Sequence, residues 1–274
     1  LEVAAAGKKH DVAAINKLSS SISSADLLPD RLSGYSDESL NTLFATLRKI
    51  AFYAPDEDAY ALRLESAFRE KVRRAKDTAD DIEEMFDAFL MSGLFDKAAA
   101  LRLEFSDRSL PEVPEIVRGD DPGYAGWQIY KTLDDGKKAE LRPLPADGAR
   151  MVMVMRPGCE FAEMASEAIF SDPELGPVFR AKGFMLTRKF DPAGAEAIKK
   201  QFGFDAVYIA RKSKDFPDFA LLRISPTFYF VKDGKVLYKF AGWSNDDGGA
   251  SAKDGIRKGL AAIGLGNLGT EHNL

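Results

Sequence analysis

The sequence holds one cysteine, two histidines and no long apolar run. A single cysteine closes no internal disulfide, so the chain is not a cross-linked secreted scaffold, and its cysteine content leaves the compartment open. The histidines, His10 and His272, stand near opposite ends. No His pair, Cys/His cluster or His-Glu-x-x-His spacing is therefore present to hold zinc or build a catalytic triad. Neither a metal nor a bound cofactor is expected. The longest apolar stretches, such as Met151 to Met155, fall far short of the ~20 residues that cross a bilayer, so no membrane span is expected. Basic residues are outnumbered, 38 against 43 acidic ones, and form no dense cluster, which argues against a nucleic-acid partner. What remains is a globular composition: 274 residues, 45% hydrophobic and 11% aromatic, enough to fill one or two cores. The first residue is Leu1 rather than Met, which suggests a removed leader or a trimmed start.

Two regions differ in their apolar period. From Ser36, a plausible N-cap, Leu40, Leu43, Phe44, Leu47, Ile50 and Ala51 recur at helical spacing, with Pro55 beyond the end. Pro55-Asp-Glu-Asp opens a second helix through Tyr60, Leu64, Phe68 and Val72, because proline and acidic residues suit a first turn. A third starts at the capping-box pattern Thr78-x-x-Asp81, buries Ile82, Met85, Phe86, Phe89 and Leu90, and stops at Ser92-Gly93. A fourth carries Leu94, Ala98, Leu101 and Phe105. The stretch Met85 to Leu101 looks like one tetratricopeptide-like hairpin, but no repeat at a period of about 34 residues accompanies it, and a plain bundle is the other reading. Residues 1–110 are thus expected to form an all-α helical domain. Ser19 to Ser24 reads as a loose arm and 111–126 as a linker, from their Ser and Gly/Pro/Asp content.

Beyond Gly126 the pattern is that of strands and helices in alternation. Trp127-Gln-Ile-Tyr and Lys138 to Leu144 flank Asp134-Asp135-Gly136, a hairpin signal. Met151-Val-Met-Val-Met is a buried strand ending at Arg156-Pro157-Gly158, followed by a helix from about Cys159 to Phe170. Gly183 to Phe190 gives a strand and Ala193 to Phe202 a helix. Two further strands, Thr227 to Val231 and Val236 to Phe240, join through Asp233-Gly234 before a closing helix over 253–263. Residues 127–274 are expected to form an α/β domain with a central mixed sheet flanked by helices.

That order of elements places Gly158-Cys159-Glu160-Phe161-Ala162 at the first strand-to-helix turn and Ile224-Ser225-Pro226-Thr227-Phe228 before the hairpin. With Lys232-Asp233-Gly234-Lys235 and Gly242 following in succession, this half of the chain resembles the thioredoxin superfamily. Ile169-Phe-Ser-Asp-Pro-Glu-Leu is similar to the thioredoxin-like domains of bacterial envelope reductases. The resemblance implies a thiol-disulfide oxidoreductase acting on protein or peptide disulfides, with Cys159 as its nucleophile and a periplasmic or envelope location. It also implies a cis peptide at Pro226, and a substrate-binding surface made of Gly158, Glu160, Phe161, Ser225, Pro226 and Thr227. Family members carry a second cysteine where this chain has Ala162, so Ala162 is either native to a monothiol protein or a Cys→Ala replacement. The helical domain is then expected to dock a partner protein or a second copy. The rival expectation is a redox-inactive module that keeps the fold for binding.

Thiol chemistry fits the position, because the thiolate is the attacking species in disulfide exchange and helix N-termini favour anions. Glu160 opposes such an anion, while Arg156 supports one if it folds back over the turn. The strand Met151 to Met155 offers no carboxylate to manage a proton beneath the thiol. Phe161 and Trp243 are candidates either for apolar contact around the sulfur or for core packing. The stretch between Phe204 and Ser225 is expected to be either a substrate-selecting insertion or an added element on the domain edge, with Arg211-Lys212-Ser213-Lys214 as a solvated loop.

Overall fold

The computed structural model describes residues 12–119, 126–219, 221, 224–244 and 246–266. His10 and His272 lie outside these residues. The chain divides into two compact units, Leu1–Val113 and Pro114–Leu274. Among the described residues no helix is long and apolar enough to cross a membrane.

The first unit is all-α: α1 (Val12–Ser20), α2 (Pro29–Ser33), α3 (Asp37–Tyr53), α4 (Asp58–Arg73), α5 (Ala79–Ser92) and α6 (Phe95–Glu104). The boundaries follow local chemistry. Ser36 caps α3 by accepting from the Ser39 N–H, and Thr78 and Asp81 form the expected reciprocal capping box on α5. Gly93 ends α5 in the left-handed region, at φ 78°. Leu40, Phe44, Leu47, Phe68, Met85, Phe86 and Phe89 are buried together as the apolar faces of α3, α4 and α5. The segment 19–24 is no loose arm. Ser19 is buried and accepts from the Arg63 guanidinium, and Ser23 caps a 3₁₀ turn over Ser24–Leu27, so the serines serve as caps rather than as a flexible tether.

The second unit is mixed α/β, built on one eight-stranded sheet. Its strands are β1 (Glu115–Arg118), β2 (Gln128–Leu133), β3 (Lys138–Pro143), β4 (Ala149–Val154), β5 (Gly183–Thr187), β6 (Val207–Ala210), β7 (Thr227–Lys232) and β8 (Lys235–Ala241), in spatial order β1-β3-β2-β6-β5-β4-β7-β8. The helices are α7 (Glu160–Phe170), α8 (Leu175–Lys182), α9 (Pro192–Phe202) and α10 (Ala250–Ala262). Strands β4, β5 and β6 run parallel, β7 and β8 return antiparallel, and the β2–β3 hairpin joins antiparallel through β6. Asp233 and Gly234 both have positive φ, 49° and 76°, which is the turn chemistry a two-residue hairpin requires.

Two expectations are corrected here. The expected linker 111–126 contains β1, which pairs parallel with β3, so the second unit begins at Pro114 rather than 127. Four residues bounded by Pro114 and Gly119 are too few to show alternation, whereas a neighbouring strand pairs them readily. Nor does the stretch after Phe204 sit on the domain edge. Its β6 lies inside the sheet between β5 and β2, and Phe216, Phe219 and Leu221 close one sheet face over Trp127, Val152, Val154, Phe184, Leu186 and Tyr229. Trp127 stacks on Phe216 at 5.9 Å, and Phe219 stacks on Tyr229 at 4.6 Å. Arg211 is likewise engaged, pairing with Asp215 at 2.9 Å, and its N–H bonds the Gln128 carbonyl. Helices cover the opposite face: the Ser166 hydroxyl of α7 lies 3.9 Å from the Met153 sulfur, and Lys199 of α9 bonds Thr132 of β2.

Candidate functional site

The sheet topology brings the two sequence-predicted segments together. Strand β4 lies between parallel β5 and antiparallel β7, with Val154 opposite both Leu186 and Thr227. The chain leaving β4 and the chain entering β7 therefore meet at one end of the sheet. Turns at the carboxyl ends of such strands are where open α/β sheets expose reactive groups.

Leaving β4, the chain turns through Arg156-Pro157-Gly158, with Gly158 at φ 71°, a conformation that side chains with a Cβ rarely adopt. A Cβ built on Gly194, in the first turn of α9, would stand 3.1 Å from Pro157 Cβ. The turn thus rests against α9, whose start is capped by Asp191 accepting from the Gly194 N–H at 2.9 Å. Cys159 is the N-cap residue of α7, at φ −90° and ψ 110°, and its carbonyl accepts from the Ala162 and Glu163 N–H groups.

Across from it the Ser225-Pro226 peptide is cis. Cys159 Sγ lies 3.5 Å from the Ser225 carbonyl oxygen, and the Arg156 N–H donates to Ser225 Oγ at 3.0 Å. Thr227 Oγ1 donates to the Ile224 carbonyl at 2.6 Å, and the Gly242 N–H donates to the Pro226 carbonyl at 2.8 Å, tying this loop to the end of β8. Gly158 and Cys159 are therefore brought to the same end of the sheet as Ser225, Pro226 and Thr227, with the Ser225 carbonyl against the sulfur. Cys159 itself is partly exposed.

The remaining predicted residues divide by burial. Ala162 is fully buried beneath the turn, and Met151 to Met155 are all buried, so no carboxylate lies within β4. Trp243 is buried at 7% exposure and belongs to packing. Phe161, at 51%, is exposed in the first turn of α7, and Ile224, which the sequence reading did not assign to the site, is exposed at 59% beside Ser225. Glu160 and Glu163 are exposed on the first turns of α7. Past Gly242 the Ser251 hydroxyl and N–H bond Asp247, holding its carboxyl below the ordinary carboxylate range. The role of Ile224 was legible only as an apolar residue two before the proline; its exposure depends on the loop's placement.

No family model, curated protein or solved structure matches this chain.

Proposed function

We propose that the second unit is a thioredoxin-like domain that carries out thiol-disulfide exchange on protein or peptide disulfides through Cys159, in a bacterial envelope setting. The observation that carries this reading is the approach of Cys159 Sγ to within 3.5 Å of the Ser225 carbonyl, from a helix N-cap to the residue before a cis-proline. The order of β4, α7, β5, β7, β8 and α10 is consistent with the same fold. The first unit, in this reading, docks a protein partner or a second copy.

The chemistry is displacement at sulfur. The Cys159 thiolate attacks one sulfur of a disulfide, a new S–S bond forms to Cys159, and the other sulfur leaves as thiolate to take a proton from solvent. Release needs a second thiol. Ala162 supplies none, so the mixed disulfide persists until an external thiol attacks it.

The test is mass spectrometry of the protein incubated with a peptide disulfide. One peptide adduct per chain, absent in Cys159→Ser and removed by added thiol, is the expected result. A chain that takes up no adduct while fully folded would instead favour the redox-inactive binding module, for which the buried Ala162 is the specific support.

A further inference from the structure

Ser225 touches both ends of the turn that carries Cys159. Its hydroxyl accepts from the Arg156 N–H at 3.0 Å, and its carbonyl oxygen lies 3.5 Å from Cys159 Sγ. The turn between is closed: the Cys159 N–H donates to the Arg156 carbonyl at 3.2 Å, and Pro157 followed by Gly158 at φ 71° suits a type II turn. Val154 of β4 stands opposite Thr227 of β7, so continuing that ladder by two residues sets Arg156 opposite Ser225. The Met155 N–H points to β5, where it donates to the Leu186 carbonyl, so the next N–H, that of Arg156, points the other way, toward Ser225. In a continued antiparallel ladder it would bond the Ser225 carbonyl. The side-chain oxygen takes it instead, and the carbonyl is left facing the sulfur. The carbonyls on either side are engaged elsewhere, that of Ile224 by the Thr227 hydroxyl at 2.6 Å and that of Pro226 by the Gly242 N–H at 2.8 Å.

We infer that Ser225 is a positioning residue for exchange at Cys159: its hydroxyl, by taking the Arg156 N–H, leaves its carbonyl free to fix where the sulfur sits. This rests on the exchange reading above. Without the hydroxyl, the ladder closes onto the Ser225 carbonyl and draws it off the sulfur, and the loop beside the thiol shifts with it. Exchange is sensitive to such a shift, because the disulfide must lie in line with the attacking sulfur, and a misplacement of about 1 Å can cost on the order of a hundredfold in rate.

The test compares Ser225→Ala, Ser225→Thr and Ser225→Val on the full chain, the last two differing only in the hydroxyl. Adduct formation with a peptide disulfide is timed for each and divided by the rate of alkylation by iodoacetamide at the same pH. The small reagent reports how much thiolate is present and open, whereas the peptide disulfide also has to be aligned with the sulfur. Ser225→Ala and Ser225→Val should each lower this ratio by about tenfold, and Ser225→Thr should hold it within about twofold of the unmodified chain. An unchanged ratio in Ser225→Val, or an equal fall in Ser225→Thr and Ser225→Val with both folded by circular dichroism, overturns the positioning role while leaving exchange intact. No peptide adduct on the folded, unmodified chain overturns the exchange reading, and the inference with it.

Discussion

At the scale of single residues, position 162 decides what Cys159 can do. Residues three apart at the start of a helix stand within disulfide-bonding distance, and Ala162 is buried directly under the turn that carries Cys159. Ala162→Cys is expected to close an internal disulfide with Cys159, detected as loss of free thiol on mild oxidation. It should also speed release of a bound peptide by on the order of tenfold or more, since a tethered thiol acts at high effective concentration. A bulky replacement should have the opposite kind of effect: Ala162→Leu forces extra atoms into a filled space and should cost about 1–3 kcal/mol in urea unfolding. The cysteine, the absent second thiol and the proline were all legible in the sequence. The burial of residue 162 was not, because it depends on α7 lying against the sheet.

At the scale of elements, each unit has its own stabilising device. In the first, Glu70 of α4 accepts from Arg73 and Arg74, and Arg74 donates onward to the Leu32 and Tyr35 carbonyls. The hydrogen bonds from Arg73 come first in lowering the Glu70 carboxyl from 4.5 to about 2, with Arg74 adding to them against the opposing effect of burial. The folded state therefore favours the carboxylate. Its stabilisation is complete above the unfolded pKa near 4.5 and is lost as pH falls from there toward 2. Glu70→Gln should cost about 2–3 kcal/mol at pH 7 and flatten that part of the pH–stability curve, measured by urea unfolding at several pH values. In the second unit, Phe216 is 1% exposed and roofs one sheet face from an irregular segment. Phe216→Ala should cost about 3–5 kcal/mol. A fall of under 1 kcal/mol would mean that this segment is not part of the core. Helices α3 and α5 were readable from their caps and apolar spacing, whereas α1, α2 and α8 carried no expectation and β1 and β6, each of four residues, were too short to show a period.

At the scale of the whole molecule, the division into two cores has a direct spectroscopic consequence. Both tryptophans, Trp127 and Trp243, are buried in the second unit, while the Glu70 network lies wholly in the first. Carboxyls held low in the second unit, those of Asp172 and Glu196, make it acid-sensitive too, so the expected outcome is that Glu70→Gln shifts the acid titration of helical circular dichroism between pH 5 and 2 and leaves that of tryptophan fluorescence where it was. An equal shift in both signals would show that the two units unfold as one.

The sequence by itself determined the two classes of unit, the capped ends of α3 and α5, the hairpin turns and the identity of the lone thiol, because caps, turn residues and apolar periods act over a few neighbouring residues. The resemblance implied that Ser225 would stand beside Cys159, but only the tertiary structure decided the 3.5 Å approach of the Ser225 carbonyl to the sulfur, that Ala162 is buried, and that the segment after Phe204 becomes an inner strand and an aromatic roof. Those outcomes depend on strand order and on which sheet face remains uncovered. They are settled by contacts between distant parts of the chain, which leave no local pattern in the residues that make them.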